Sequence, residues 1–88
     1  MPFRFAGGQL LLSARAAKEL PLDVALTIVT RHLSGDWGDL EDEDVRANEL
    51  ALLDGARIFS AYQLGNQRWW VITEADRSAT TVLSPEEY

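Results

Sequence analysis

Eighty-eight residues make one small domain, 1–88, and 47% of them are hydrophobic, which is enough for a packed core and excludes wholesale disorder. With no cysteine and a single histidine, disulfides, thiolate chemistry, cysteine-ligated zinc and sites built on two imidazoles are excluded. No apolar run approaches the roughly 18 residues a membrane span needs, and the short patch at Met1–Leu12, broken by Gly7-Gly8, does not read as a signal peptide.

The net charge of -6 is unevenly placed. Between Asp36 and Asp54 there are eight acids and one base, Arg46, whereas the rest of the chain holds six acids and seven bases. One stretch therefore supplies all of the negative character. Seven of the eight bases are arginine, whose planar fork suits fixed pairing with carboxylate or phosphate.

In chain order, Phe3-Arg4-Phe5 and Gln9–Leu12 flank Ala6-Gly7-Gly8 and predict a short N-terminal hairpin. Ser13 can cap a helical turn that runs to Glu19, before Leu20-Pro21 interrupts it. Leu22, Ala25, Leu26, Ile28, Val29 and Leu33 recur at helical spacing and predict a helix from Pro21 to Ser34, stopped by Gly35. Asp36–Asp39 is a turn, with Asp39 as the expected cap of an acid-rich helix, Glu41–Asp54, that buries Val45, Leu50, Leu53, Ala47 and Ala51 and ends at Gly55. Three strands follow, Arg57–Gln63, Arg68–Glu74 and Ala79–Leu83, turned at Gly65-Asn66 and at Ala75–Ser78. The expected fold is α+β, with two main helices on a three-stranded antiparallel meander. Successive strand residues point to opposite faces, so Trp69 and Trp70 cannot share one core. Large apolar residues on both sheet faces also predict a homodimer through the uncovered face or edge.

Candidate sites are few. Arg31 and His32 lie at the end of the Pro21–Ser34 helix, where the dipole favours positive charge and would raise the imidazole pKa; as a functional pair they would serve proton transfer or phosphate contact. Asp36-Trp37-Gly38-Asp39 fails the calcium-loop pattern, because Gly38 stands where an oxygen ligand is required. Trp37 must either plug the core or stay exposed for a partner. Five acids within Asp39–Asp44 exceed what one helix dipole can use, and imitation of a phosphate backbone would explain them. No Gly-rich phosphate loop or nucleophile elbow is present, and nothing points to a metal or cofactor.

Arg31-His32-Leu33-Ser34-Gly35-Asp36-Trp37-Gly38, Asn48, Gly55–Tyr62, Trp70–Leu83 and Pro85–Tyr88 together form a distinctive pattern. Over about residues 22–88 the chain resembles a family of small proteins borne on bacterial plasmids and other mobile elements, loosely described as plasmid-related or type I restriction-associated. That resemblance implies a cytoplasmic setting and a part in the contest between mobile DNA and host defence. Two functions of different class follow. One is an anti-defence protein that presents Asp36, Trp37, Asp39, Glu41, Asp42, Glu43 and Asp44 to a basic surface of a nucleic-acid-binding host complex. The other, by analogy of its helices-then-meander architecture with compact toxin-like ribonucleases, is a small ribonuclease that uses Arg31, His32, Tyr62, Arg77 and Thr80, although a charge of -6 opposes binding of a polyanion.

Overall fold

A computed structural model describes residues 3–88. The chain runs β1 (Gln9–Leu12), α1 (Ala14–Glu19), α2 (Leu22–Leu33), α3 (Asp42–Asp54), β2 (Ile58–Leu64), β3 (Gln67–Thr73) and β4 (Ala79–Leu83), and closes with a 3-10 turn at Pro85–Glu87. The α+β class holds. The sheet, however, has four strands in the order β1-β4-β3-β2, and β1 lies parallel to β4.

The expected N-terminal hairpin does not form, and glycine geometry explains why. Gly8, at φ +63°, passes so close under the β3–β4 turn that a Cβ would strike the carbonyls of Arg77 and Ser78. The two glycines thus admit the chain alongside β4, where the Gln9 N–H donates to the Ser78 carbonyl. Phe3–Phe5 stays irregular, and the Arg4 N–H donates to the Leu33 carbonyl at the end of α2.

Local signals account for much of the rest. Ser13 caps α1 by accepting from the Ala16 N–H, and Gly55 ends α3 in the left-handed conformation. Pro21 is the residue before α2 rather than its first turn. On α2, Ala25, Ile28, Val29 and His32 point inward, while Leu22 and Leu26 are exposed. The main core joins Ile28 and Val29 to Ala16, Tyr62, Trp69, Val71 and Val82. Trp69 is 2% exposed and Trp70, on the other face, is half-buried, as strand parity requires.

The phase of α3 differs from expectation. Ala51 is buried and Val45 partly buried as expected, and they are joined by Asn48 and Leu52, whereas Ala47 is exposed and Leu50 and Leu53 are 62% and 85% exposed. The cause is that α3 lies along the β2 edge of the sheet, where a polar residue is needed. Phe59 donates its N–H to Asn48 Oδ1 and accepts from Asn48 Nδ2 on its carbonyl, at 3.1 and 2.6 Å. Both edge groups of that residue are thereby satisfied.

A buried polar chain crosses the core. His32 is fully buried, with Nδ1 2.6 Å from Ser60 Oγ and Nε2 2.9 Å from Thr73 Oγ1; Thr73 Oγ1 lies 2.7 Å from Thr80 Oγ1, which is 2.7 Å from the Gly7 carbonyl. Proton counting orders this chain. The Gly7 carbonyl can only accept, so the one proton of Thr80 goes there; Thr73 must then donate to Thr80 and accept from His32 Nε2–H. Full burial keeps the imidazole neutral, so Nδ1 carries no proton and Ser60 donates to it. The imidazole is then the Nε2–H tautomer, enclosed edge-on by Phe5 and Trp37 with ring centroids 5.3 and 6.0 Å away.

Burial pushes the His32 pKa down to about 3 from 6.5, against the small rise expected from the helix dipole. The cost of desolvating an imidazolium outweighs the dipole. An unfolded chain protonates this side chain below pH 6.5 and the folded one does not, so the unfolded state binds more protons and stability falls as pH falls. Between pH 6.5 and 4.5 the unfolding free energy is expected to drop by about 2 kcal/mol, at a limiting ~1.4 kcal/mol per unit. Denaturant melts across that range measure it, and a flat profile would contradict the buried neutral imidazole.

Candidate functional site

The acidic stretch divides into two halves of different use. Asp36 is gripped by Arg31 through Nε and Nη2 at 2.6 and 3.2 Å and accepts from the Gly38 N–H at 3.1 Å, which holds its carboxyl below its ordinary pKa. Asp39 does not cap α3. Its carboxylate accepts from the Gln63 N–H at 2.8 Å, its own N–H donates to the Ala61 carbonyl at 2.7 Å, and its carbonyl accepts from Arg68 Nη2. The residue before α3, Glu41, makes no side-chain cap. Glu49 is clamped by both terminal nitrogens of Arg4 and accepts from the Trp37 indole at 3.0 Å; these two partners lower its pKa, the arginine more. Asp54 accepts from the Ala56 N–H.

These contacts fasten the Asp36–Asp39 loop to the outer edge of β2. The Ala61 N–H donates to the Trp37 carbonyl, and Gly38, at φ +73°, bridges to Ala61 with no room for a side chain. Trp37 is 5% exposed and packs with Ala51 and Ile58. It is a core residue, and as a partner-binding residue it is withdrawn from the surface.

Glu41, Asp42, Glu43 and Asp44 remain. All four are exposed, and among the described residues none makes a side-chain hydrogen bond or ion pair. Asp42, Glu43 and Asp44 form the first turn of α3, where the helix dipole tolerates negative charge. On helical geometry, Asp42, Glu43, Arg46, Leu50 and Leu53 share the outward face.

The residues of the ribonuclease reading are placed together only in part. His32, Tyr62 and Thr80 are buried, and their polar atoms are engaged. The Tyr62 hydroxyl donates to the Asp36 carbonyl at 2.7 Å, and burial pushes its pKa up to about 12. Arg31 lies over the Tyr62 ring at 4.8 Å while holding Asp36. The geometry of Ser60 beside His32 is that of a nucleophile and its base, but both are fully buried, and a substrate cannot reach them. Asp76 accepts from the Ser78 N–H within the β3–β4 turn.

Arg77 instead gathers backbone carbonyls. Nη1 donates to Ala56, Glu74 and Ala75 at 2.7, 3.1 and 3.2 Å, and Nη2 donates to Ala51 at 3.0 Å. The β3–β4 turn is thus bound to the end of α3. Arg77 sits at φ +62°, a conformation in which a non-glycine residue costs about 1–3 kcal/mol. Replacing Arg77 with Ala removes the clamp and keeps the strain, for an expected loss of roughly 2 kcal/mol. Arg77→Gly should recover about 1 kcal/mol of it. Thermal melts of both variants test this, and an unchanged melting temperature for Arg77→Ala would remove the clamp from the account. Comparison with protein families, with curated proteins and with solved structures finds no match to this chain.

Proposed function

We propose that this chain is a binding protein whose α3 start engages a basic surface of a nucleic-acid-binding partner. The supporting observation is the division of the acids: Asp36, Asp39, Glu49 and Asp54 are used by the fold, while Glu41–Asp44 stand exposed and unpaired. Four adjacent carboxylates repel one another, and a cationic partner relieves that repulsion. Leu50 and Leu53, exposed on the same helix face, add apolar area for a partner to bury. The resemblance to mobile-element proteins makes the specific form of this reading an anti-defence inhibitor that occupies the nucleic-acid site of a host complex. The ribonuclease reading draws no support from its own residues, since His32 is buried and Arg77 is engaged with carbonyls.

The attraction is electrostatic, so it must weaken as the Debye length falls from about 10 Å at 0.1 M salt to about 3 Å at 1 M. Immobilised protein should retain a basic nucleic-acid-binding protein from bacterial lysate at 0.1 M salt and release it at 1 M or on addition of duplex DNA. Glu41→Lys, Asp42→Lys and Glu43→Lys together should weaken capture at least about a hundredfold while the fold stands. Capture of the same protein at wild-type strength by the folded triple variant would contradict the reading.

We also propose that the acting unit is a monomer. The sheet face opposite α2 is less open than strand alternation alone implies, because Ile72 is 6% and Ala61 0% exposed, and Tyr88 packs on Trp70. A narrower apolar face supports a monomer over the expected homodimer. Light scattering at micromolar concentration is expected to return 9.8 kDa, and twice that mass would reinstate the dimer.

A further inference from the structure

On the sheet face opposite α2, a groove of about 260 Å³ is lined by Arg57, Phe59, Trp70, Ile72 and Tyr88. Phe59 and Ile72 are cross-strand neighbours on β2 and β3, and Trp70 lies two residues before Ile72, so rigid strands carry three of its walls. Tyr88 follows the 3-10 turn, which is anchored because the Glu87 carboxylate accepts from Ser13 Oγ, the Arg15 N–H and the Ser84 N–H. The three aromatic rings stand edge to face, Phe59 to Trp70 at 5.0 Å and 88°, and Trp70 to Tyr88 at 5.5 Å and 71°. Rings crossed in this way touch edge to face and line the groove with their outer surfaces. A flat guest rests over them there and continues the same herringbone.

Arg57 determines the charge of that guest. Its Nη1 donates to the Tyr88 hydroxyl at 3.1 Å, and its Nε is 3.6 Å from Glu74, beyond hydrogen-bond length. Nη2 has no acceptor among the described residues, and the side chain is about half exposed. The guanidinium carbon already lies 5.8 Å from the centre of the Tyr88 ring. A second cation in this aromatic setting would meet that positive charge, whereas a carboxylate would find the free Nη2 of an arginine that is only loosely paired with Glu74. The volume falls below the 300–1,000 Å³ typical of drug-sized sites, which limits the guest to one or two rings. We infer that this groove binds a small planar aromatic carboxylate, its ring over Phe59, Trp70 and Tyr88 and its carboxylate on Arg57. The site is separate from the acidic start of α3 and does not depend on the function proposed for it.

The probe is 2-naphthoate, with the neutral 2-naphthamide as its uncharged twin, followed by two-dimensional NMR of the 15N-labelled chain. For about 13 non-hydrogen atoms, saturable shifts centred on the Trp70 indole and the Arg57 and Tyr88 backbone are expected, with a dissociation constant on the order of 0.1–1 mM. Arg57→Gln should weaken naphthoate at least fivefold and leave naphthamide unchanged. Glu74→Gln, which removes the competing negative charge beside Arg57, should tighten naphthoate. Both substitutions are on the surface, and the spectra themselves report whether the fold is kept. Absence of saturable shifts would overturn the site. Equal binding of the two probes, unmoved by either substitution, would overturn the assignment of a carboxylate ligand.

Discussion

The hydrogen-bond chain Ser60–His32–Thr73–Thr80–Gly7 crosses the protein from β2 to the N-terminal segment, and each of its links joins a different pair of elements. It can be satisfied only if α2 brings His32 to the sheet face at the level where Ser60 and Thr73 point inward. It also requires β4 to set Thr80 against Thr73, and the glycine-lined entry to β1 to set the Gly7 carbonyl against Thr80. A buried polar group left unpaired costs about 1–3 kcal/mol, so a slip of any one element is penalised at several links. The apolar core supplies the larger gain from burial but accepts many arrangements; the polar chain selects among them.

That selection explains why the chain's only imidazole is unavailable for chemistry. A histidine near pH 7 is the usual proton carrier, yet here its two nitrogens are fully used and no water reaches it. The same economy appears in the acidic stretch. Asp36 ties the loop to Arg31 of α2, Asp39 fastens it to the open edge of β2, Glu49 joins Arg4 to Trp37, and Asn48 finishes the edge at Phe59. Four carboxylates are left without structural work, and these are the ones available to a partner.

Much of this was legible in the residues. The periodicity of α2, the Gly65-Asn66 turn between β2 and β3, the Ser13 cap and the opposite facing of Trp69 and Trp70 all rest on rules that act within a few residues. The misread features depend on distant partners. The parallel pairing of β1 with β4 joins segments about seventy positions apart, and Gly7-Gly8 carries the same local signal whether it turns a chain or lets it pass closely. Leu50 and Leu53 match a buried helix stripe as well as Asn48 and Ala51 do. Only the exposed edge of β2, which is invisible in the α3 segment, decides for the amide. The pKa direction of His32 was misjudged for a related reason: the dipole is local to α2, while the burial that overrides it comes from Phe5, Trp37 and the sheet.

The most direct test of this account is the protonation state of His32 in the folded protein, read from the 15N shifts and long-range proton couplings of its imidazole. The hydrogen-bond order requires the Nε2–H tautomer, with Nδ1 as the acceptor, unchanged from pH 7.5 to pH 5. An imidazolium pattern appearing near pH 6 in the folded protein, or a proton resident on Nδ1, would break the chain at Ser60 and contradict the account.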